Sequence, residues 1–404
     1  MILNIDEKKT YVIGVSGGPD SMALLDMCQK QGIFVAVAHM NYAKRDSAKR
    51  DEEIVRNYCE KYGIPYVIRM QNKQCIGNFQ AFARDERYAF YKELIQTYDA
   101  EAVLLAHHLD DHLETYLMQM QRRSTPQYFG ISEHACIMDC QIIRPLLMYT
   151  KQELLNYCDE YHIPYGIDES NLTNDYTRNK IRHTLIEPMV KQKKWQLLNE
   201  IAEKNISWER KQKEIEMFLN TWDGEISSIQ KYPLEERCHI LFFWIKQHTG
   251  IAVSAAEQEQ IAKQAMHTQA WIRPIKQTHM LYASYGRLEI DERLDEGYSY
   301  QYDKLTYITT PFFQIVEKGT TIQGVTLSEH DFPITIRNAK EGDAILLRFG
   351  KKRVHRWFID RKISWKKRKK WPVLVNAVGN VIFVPGIGCD IEHFSNNPNA
   401  FVLE

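Results

Sequence analysis

The sequence contains no cysteine pair with C-x-x-C spacing, although eight of its 404 residues are cysteines. Thiols scattered in this way are typical of a reducing compartment, and they do not form the hooks that hold a metal or a redox disulfide. The chain also lacks a basic N-terminal segment followed by an apolar one, and its longest apolar run, residues 373–388, is interrupted by Asn376 and Asn380. These absences argue against secretion and membrane insertion and predict a cytoplasmic protein.

Net charge is absent as well, because 52 Lys and Arg residues balance 52 Asp and Glu residues. A hydrophobic fraction of 44% with 26% charged residues excludes disorder throughout, and the length predicts two or three domains. The balance is not local: residues 337–371 contain fourteen Lys and Arg residues against three Asp and Glu residues. This segment is suited to binding a polyanion.

Short β-branched runs alternate with helical patterns over the first 120 residues. The predicted strands cover residues 11–15, 33–39, 66–70 and 102–107, and helices are predicted at residues 19–31, 47–62, 80–98 and from about 110 onward. This alternation predicts an α/β fold with a doubly wound parallel sheet, whose ligands bind beyond the carboxyl ends of the strands. The loops that follow Val15, His39 and His107 are therefore the expected ligand-binding loops.

The rest of the chain changes character twice. Apolar residues recur at helical spacing from Leu198 to Leu219, with polar interruptions at Asn205 and Gln212 on the inner face. Helix-rich sequence follows, and then β-branched runs punctuated by Gly and Pro. The expected domains are a catalytic domain at 1–186, a linker helix at 187–219, a helical domain at 220–297 and a small α+β domain at 298–404.

A glycine-rich segment joins the first predicted strand to the first helix. It reads Ser16, Gly17, Gly18, Pro19, Asp20, Ser21. Glycines allow close backbone approach to an anion, and the helix N-terminus presents unpaired N–H groups, so we interpret the segment as a phosphate cradle. It is not the G-x-x-x-x-G-K-[ST] loop of kinases and GTPases. The alternative is an ordinary glycine turn.

A cluster of histidines and carboxylates follows the fourth predicted strand. His108, Asp111 and Glu114 are spaced three apart and share one face of the helix predicted there. Two carboxylates are therefore expected beside the phosphate cradle. Two alternatives remain open: a metal pair formed by His108 and His112, and a capped helix with solvated carboxylates.

These motifs together resemble a known family. The cradle is similar to the SGGxDS loop of the PP-loop ATP pyrophosphatase superfamily, and residues 107–115 resemble the H-H-x-D-D-x-x-E-T segment of tRNA(Ile)-lysidine synthetases. Further matches lie at residues 83–88, 144–147, 168–182 and 341–387, so the resemblance covers both ends of the chain. Two segments depart from the family pattern: residues 39–45 lack its second histidine and its leucine, and residues 122–126 replace an Arg-Gly loop.

The resemblance implies roles for individual residues. Asp20, Arg84, Asp111 and Glu114 would be catalytic; Asp20 would contact pyrophosphate or its Mg²⁺, and Arg84 would stabilise the charged intermediate. His108, Asp111 and Glu114 would bind lysine, and one of the two carboxylates would act as base. The remaining nucleotide contacts implied by the resemblance are Ser16, Gly17, Gly18, Pro19, Asp20, Ser21, His39 and His107.

Basic residues supply the expected RNA contacts. One group is Arg178, Lys180 and Arg182; the other is Lys351, Lys352, Arg353, Arg356, Arg361, Lys366, Lys367 and Arg368. The second group is interleaved with Trp357, Phe358, Trp365 and Trp371, a mixture suited to phosphate contacts and base stacking. A solvated basic surface is the alternative for both groups.

The resemblance implies ATP-dependent joining of free L-lysine to the wobble cytidine of a CAU-anticodon tRNA(Ile), through an adenylated cytidine, with release of AMP and pyrophosphate. ATP and Mg²⁺ are the implied cosubstrate and metal, and no membrane is involved. The alternatives are another RNA-modifying enzyme of the superfamily, such as a tRNA thiolase, a non-catalytic RNA-binding protein, and a synthetase acting on a small molecule. The sequence leaves open whether the chain forms a homodimer.

Overall fold

The structure is a computed structural model that describes residues 1–41, 47–71, 79–166, 180–267, 269–293, 297–320 and 323–404. These residues form two compact units, Met1–Gln212 and Lys213–Glu404. The division falls inside a long helix rather than at 186 or 219, and the four-domain division stays a prediction. The predicted RNA contact Arg178 and the altered segment 42–45 lie outside the described residues.

The first unit is built on a six-stranded sheet with the order β3-β2-β1-β4-β6-β5. All neighbouring strands are parallel except β5, which pairs antiparallel with β6. This arrangement confirms the predicted doubly wound fold. The strands are β1 (Tyr11–Gly14), β2 (Val35–Asn41), β3 (Tyr66–Met70), β4 (Ala102–Leu104), β5 (His134–Ile137) and β6 (Cys140–Ile143).

Helices cover both faces of this sheet, so its central strands are apolar throughout. Tyr11 and Ile13 pack into one core, whereas Val12 between them packs into the core on the other face. Leu25 and Tyr91 come from helices on opposite faces. The helices are α1 (Pro19–Lys30), α2 (Ser47–Tyr62), α3 (Phe79–Tyr98), α4 (Leu109–Gln121), α5 (Lys151–Glu160) and α6 (Lys191–Leu219).

The buried carboxylate of Asp26 links three of these helices. It accepts hydrogen bonds from the hydroxyls of Tyr58 at 2.6 Å and Tyr157 at 2.7 Å, which lie on α2 and α5. Burial and the hydrogen bond to Asp26 raise the pKa of both tyrosines. The cluster fixes α5, and with it the residues at its start, against the helix that follows the phosphate cradle.

The helix predicted over Leu198 to Leu219 is present as α6, and its polar interruptions have partners. The Asn205 side chain bonds the backbone N–H and carbonyl of Phe129 at 2.8 and 3.0 Å, and Gln212 donates to the carbonyl of Gln127 at 2.9 Å. Both contacts hold the loop that follows α4. Asn205 therefore satisfies buried backbone groups of Phe129, and Gln212 bonds an exposed part of the same loop.

The second unit contains a small antiparallel sheet that the expectation of a helical domain at 220–297 omitted. Its three strands are β7 (Trp271–Ile275), β8 (His279–Ser284) and β9 (Arg287–Glu292). Their apolar side chains pack with those of three helices in one core. These helices are α7 (Ile226–Gln230), α8 (Leu234–Thr249) and α9 (Ala255–Gln264).

Two further sheets form the C-terminal part of the second unit. One has the order β10-β14-β17-β18-β15-β16, with β19 beside β18, and the other has the order β11-β12-β20-β13. The strands are β10 (Ser299–Tyr302), β11 (Ile308–Thr309), β12 (Gln314–Val316), β13 (Gly324–Val325), β14 (Ile334–Asn338), β15 (Ala344–Leu347), β16 (Gly350–Arg353), β17 (Pro372–Val375), β18 (Val381–Val384), β19 (Gly388–Cys389) and β20 (Ala400–Leu403). Helices α10 (Val354–Asp360) and α11 (Trp365–Lys370) complete it.

A buried histidine between two carboxylates ties the C-terminal segment down. His393 contacts Asp390 at 2.5 Å through Nδ1 and Asp331 at 2.7 Å through Nε2. Burial opposes the charged imidazolium, but the bonds to Asp331 and Asp390 outweigh it and raise the pKa of His393. Burial also opposes ionisation of Asp331, yet His393 and Ser328 lower the pKa of that carboxyl.

We expect His393→Gln to destabilise the folded chain more at about pH 6 than at about pH 9. A histidine whose pKa is raised in the folded state contributes its full stabilisation of the fold at pH values below its unfolded pKa of 6.5. That contribution is lost as the pH rises through the pKa of the folded state. Asp331 stabilises the fold at pH values above its ordinary pKa of 3.8. This stabilisation is lost as the pH falls through the lowered pKa of the folded state. Urea unfolding of both chains at the two pH values measures the difference. Equal destabilisation at the two pH values would contradict a charged contact between His393 and the two carboxylates.

Candidate active site

The phosphate cradle lies between β1 and α1, and its own side chains shape it. The Ser21 hydroxyl donates to the Gly18 carbonyl at 3.0 Å and accepts from the Ser16 backbone N–H at 3.1 Å. Gly17 has a φ of 90° and lies against Asp51, where an added Cβ would come within 2.9 Å of that side chain. Glycine is therefore required at this position. Pro19 occupies the first turn of α1, where its missing N–H costs no hydrogen bond.

Asp20, in the first turn of α1, pairs with a lysine from far along the chain. Lys151 Nζ lies 2.7 and 2.8 Å from the two carboxylate oxygens of Asp20. Lys151 begins helix α5, which follows β6. The cradle therefore has a cation beside it although it lacks the lysine of a G-x-x-x-x-G-K-[ST] loop. Lys151 was not among the predicted site residues, and its only signal in the sequence is its place at the start of a helix.

A cavity of about 290 Å³ opens between the cradle and the ends of β2 and β4. Its wall is partly apolar, with Met40, Tyr91 and Leu105, and it includes His107 and Arg87. This mixture suits a purine ring and its sugar. The other lining residues are Gly14, Val15, Ser16, Asp20, Ser21, Ala38 and Ala106.

His39, predicted to contact the nucleotide, and Arg84, predicted to be catalytic, do not line this cavity. His39 Nδ1 donates to the Val15 carbonyl at 2.9 Å, and burial lowers the pKa of His39, so its imidazole is neutral and braces the end of β1. Arg84 is exposed on α3, with its guanidinium 5.5 Å from the Tyr88 ring. Arg87, not Arg84, lines the cavity. The catalytic role of Arg84 stays a prediction.

The acidic helix α4 brings its carboxylates to the same edge of the sheet. The backbone N–H of His108 donates to Asp111 Oδ2 at 3.2 Å, which caps the helix. His108 Nε2 lies 3.3 Å from Asp111 and 3.9 Å from Asp20. His108 thus stands between the cradle and the carboxylates, as expected for the loops after β1 and β4 of a doubly wound sheet.

Arg182 joins the two buried carboxylates. Its Nε donates to Glu114 at 3.0 Å and its Nη2 donates to Asp111 at 3.1 Å. Burial opposes ionisation of Asp111, but His108, His107 and Arg182 outweigh it and hold the pKa of that carboxyl below its usual range. Glu114 is 1% exposed. When ionised, the three side chains carry a net charge of −1.

The contacts of Arg182 with the two carboxylates bear on the RNA-binding role predicted for it. Its guanidinium is engaged by Asp111 and Glu114 rather than presented on the surface, whereas Lys180 is exposed. Arg182 begins a π-helical turn, Arg182–Ile186, of a kind that is frequent at functional sites. The basic cluster was predicted from the sequence, but the pairing of Arg182 with Asp111 and Glu114 was not.

The remaining polar residues of α4 face other parts of the unit. His112 Nδ1 lies 2.9 Å from the Ile131 carbonyl, and burial lowers the pKa of His112. Asp110 is buried and bonds Lys194 of α6, with Nζ and Oδ1 2.8 Å apart. The described residues contain no group of three or more His, Cys, Asp or Glu side chains placed to hold a metal. His112 and Asp110 therefore support the site from outside it.

We expect Lys194→Met to lower the free energy of unfolding by about 3–5 kcal/mol, because it leaves the Asp110 carboxylate buried without its cation. The matched control is Lys191→Met, on the same helix, which removes an exposed pair with Glu153 at 2.6 Å and should cost less than about 1 kcal/mol. Urea unfolding of the two variants measures the difference. Equal losses would show that the buried pair contributes no more than the exposed one.

The basic C-terminal segment divides into engaged and solvated residues. Lys366 Nζ donates to the Ile290 carbonyl at 3.0 Å, and Arg368 Nε donates to the Ile363 carbonyl at 2.8 Å. Lys370 pairs with Asp291. The contacts of Lys366 and Lys370 hold α11 on the three-stranded sheet. By contrast, five of the predicted RNA contacts are exposed: Lys351, Arg353, Arg356, Arg361 and Lys367. Of these, Arg356 pairs with Asp360 at 3.3 Å. Lys352 is half-buried.

Three of the four aromatic residues expected to stack on RNA lie in the core. Trp357, Phe358 and Trp371 are 4%, 3% and 6% exposed and pack together. The expectation of stacking was wrong for these three. The helical segments that carry the basic residues must also fill a core, and large aromatics serve that purpose. Trp365 is half-buried.

Comparisons with known proteins agree with this geometry. The PP-loop domain family matches residues 1–209, and the TilS substrate C-terminal domain family matches residues 334–403. A tRNA(Ile)-lysidine synthase of Bacillus licheniformis is 28% identical, over 94% of this chain and 89% of that protein. One of Mycoplasmopsis pulmonis is 35% identical, over 62% of this chain and 88% of that protein.

A solved structure of a U34-tRNA thiolase from Methanococcus maripaludis is also similar, with a TM-score of 0.43 and 14% sequence identity. The match covers 49% of this chain and 73% of that chain. That likeness is too low to support an inference about activity. The matches to the PP-loop domain and to the lysidine synthases extend over the cradle and the acidic helix. The chain therefore belongs to the tRNA(Ile)-lysidine synthase family and carries its PP-loop domain at residues 1–209.

Proposed function

We propose that this chain joins free L-lysine to the wobble cytidine of a CAU-anticodon tRNA(Ile) in the cytoplasm, using ATP and releasing AMP and pyrophosphate. The observation that carries the proposal is the juxtaposition of two charged sites across His108. Asp20 and its cradle lie on one side, and Asp111 and Glu114 lie on the other. The cradle suits a triphosphate, and the carboxylate pair suits an amine.

The cradle accounts for activation of the cytidine. A ring carbonyl oxygen of cytosine is a very poor leaving group, and its conversion to an ester of AMP makes displacement by an amine feasible. Each 1.36 kcal/mol removed from the barrier raises the rate about tenfold. Backbone N–H groups at the start of α1 and the Lys151 ammonium would stabilise the charge of the leaving pyrophosphate.

Asp20 fits a Mg²⁺ site. Its carboxylate is a hard oxygen ligand beside the cradle, and Mg²⁺ commonly uses one or two carboxylates together with substrate phosphates. The metal would supply charge neutralisation on those phosphates. Lys151, which contacts both oxygens of Asp20 in this structure, would then be available to a phosphate oxygen.

The carboxylate pair accounts for the choice of nucleophile. An amine with an ordinary lysine pKa near 10.4 is neutral in only about one molecule in two thousand at pH 7, a penalty of roughly 4.6 kcal/mol. The site must bind the ammonium and then take its proton. Asp111 is a poor proton acceptor because its pKa is lowered, so we assign it to holding the charge and Glu114 to accepting the proton.

Incorporation of labelled lysine tests the proposal. Wild-type chain, ATP and an unmodified CAU-anticodon tRNA(Ile) should give ATP-dependent label on the RNA together with AMP, and changing the wobble cytidine should abolish both. AMP without labelled RNA would mean that the PP-loop chemistry is right and the nucleophile is wrong. Neither product would overturn the proposal.

A further inference from the structure

The loop that follows β6 contains a buried cation without a counterion. Two Lys or Arg residues are buried within the described part of the chain, Lys194 at 7% exposed and Arg144 at 6% exposed. Lys194 pairs with Asp110. Arg144 pairs with no carboxylate of the described residues, and its one side-chain hydrogen bond runs from Nη1 to the Ser132 carbonyl at 2.6 Å. Its Nε is buried without a partner.

This position is unfavourable for Arg144 by itself. A guanidinium stays charged at physiological pH, and a buried charge in a protein is normally paired. Burial lowers the pKa of Arg144, and the neighbouring Arg84 cation acts in the same direction. A hydrogen bond to one backbone carbonyl does not neutralise the charge. The fold therefore presents a buried cation to an anion that the described residues do not supply.

Arg144 lies at the ligand-binding edge of the sheet. Strand β6 is parallel to β4, so Arg144, which directly follows β6, and helix α4, which follows β4, begin at the same edge. One loop also connects them. His112 of α4 lies 2.9 Å from the Ile131 carbonyl, and the next residue, Ser132, accepts the hydrogen bond from Arg144. Arg144 is thus placed beside the helix that carries the carboxylate pair.

One face of α3 relates Arg144 to the nucleotide cavity. Arg84, Arg87, Tyr88 and Tyr91 are spaced three and four apart and share this face. Arg87 and Tyr91 line the cavity, and the ring of Tyr88 meets that of Tyr91 edge-on with centroids 5.8 Å apart. Tyr88 and Arg84 are the charged or titratable groups that act on Arg144. Arg144 therefore lies beyond Tyr88, next to the cavity wall and away from the cradle.

The depth of Arg144 determines which anion it suits. Phosphates of an RNA backbone reach cations at the surface, whereas a guanidinium that is 6% exposed is accessible only to a small anion that enters the site. Besides ATP, the proposed reaction has one small substrate with an anionic group, the α-carboxylate of free lysine. A guanidinium binds a carboxylate through two parallel N–H···O bonds, and the unpartnered Nε of Arg144 is a donor for such a pair.

We propose that Arg144 binds the α-carboxylate of the amino-acid substrate, at the opposite end of that substrate from the ammonium held by Asp111 and Glu114. Naming the amino acid as lysine rests on the proposed function. The binding of a small carboxylate by Arg144 rests on the burial of its guanidinium and on the missing counterion.

Lysinamide, in which a neutral amide replaces the carboxylate, tests this contact. The wild-type chain should use lysine better than lysinamide by about 10- to 150-fold in kcat/KM, the range for a hydrogen bond to a charged group. Arg144→Gln should raise the KM for lysine by a similar factor and use the two substrates about equally, with the KM for ATP and the Kd for tRNA unchanged. Arg144→Lys keeps the charge and should restore part of the preference. Because the preference is a ratio measured within one chain, partial unfolding of a variant does not change it.

The matched control is Arg69→Gln. Arg69 lies on β3 of the same sheet and pairs with Glu93 at 2.6 Å, so its replacement should leave the preference for lysine unchanged. The inference would be overturned by equal use of lysine and lysinamide in the wild-type chain, by an undiminished preference in Arg144→Gln, or by an equal loss in Arg69→Gln. Weaker tRNA binding by Arg144→Gln with its preference intact would also overturn it, because the anion would then be a phosphate.

Equilibrium dialysis of labelled lysine against the full chain and tRNA, without ATP, separates this inference from the proposed function because it needs no turnover. The wild-type chain should bind lysine, and Arg144→Gln should bind it about 10- to 150-fold more weakly. Binding that depends on Arg144 in a chain that forms no lysidine would overturn only the proposed function. Equal binding by the two chains would overturn the role of Arg144.

Discussion

Glu114→Gln is expected to reduce lysine-dependent turnover by about 10²–10⁴-fold, the usual contribution of a positioned general base. Glutamine preserves the shape of this 1%-exposed side chain and can still accept a hydrogen bond from Arg182. It cannot take a proton from the incoming amine. Labelled lysine incorporation measures the effect. Because Glu114 lies on the far side of His108 from the cradle, tRNA-dependent pyrophosphate release should persist.

The control is Glu187→Gln. Glu187 is exposed and pairs with His183 at 2.8 Å, close in sequence to Arg182 but on the surface. Its replacement should leave turnover unchanged. If the Glu114→Gln chain melts near the wild-type temperature, its loss of turnover reflects the chemistry of the site rather than a failure to fold. Wild-type lysine kinetics in a folded Glu114→Gln chain would refute its assignment as the base.

Asp20→Asn is expected to lower AMP formation by about 10³-fold or more, while binding of tRNA is unaffected. The substitution removes the carboxylate that would hold Mg²⁺ beside the cradle, and it leaves the Lys151 ammonium without its anionic partner. Release of AMP in the presence of tRNA and lysine measures the effect. The largest effect is expected for Asp20→Asn because charge neutralisation at the triphosphate precedes both the adenylation of the cytidine and the attack by lysine.

Asp159→Asn provides the comparison for Asp20→Asn. Asp159 is an exposed carboxylate near the end of α5 that accepts a hydrogen bond from Tyr165 at 3.2 Å. It belongs to the helix that Lys151 begins, but it lies at the other end. AMP formation should be normal in this variant. Comparable AMP release by Asp20→Asn and wild type would mean that the cradle does not act on ATP through this carboxylate.

The alternation of strands and helices was enough to predict the parallel strands β1 to β4 and the helices between them, but not β6, the antiparallel edge strand β5 or helix α5. Buried parallel strands are apolar on both faces, and the carboxyl ends of adjacent strands meet at one edge of the sheet. These two facts place the loop after β1 beside the loop after β4. The positions of Asp20, Asp111 and Glu114 relative to one another therefore followed from sequence spacing.

Long-range partners could not be predicted in the same way. Lys151 and Lys194 are ordinary lysines in the sequence, and only the packing of α5 and α6 shows that they face Asp20 and Asp110. The C-terminal aromatics illustrate a different limit. Tryptophan and phenylalanine serve both cores and stacking surfaces, so their interleaving with basic residues could not separate the buried Trp357 from the half-buried Trp365.

The ion pair between Asp20 and Lys151 also sets the order in which the ATP site is completed during synthesis. The two residues are 131 positions apart, and β4, which borders the cradle, begins at Ala102. At about 5–20 residues per second, the ribosome adds Lys151 roughly 7 to 26 seconds after Asp20. The phosphate loop is thus synthesised well before one of the side chains that complete its surroundings. A nascent chain stalled before residue 151 would contain the loop's sequence without a finished nucleotide site.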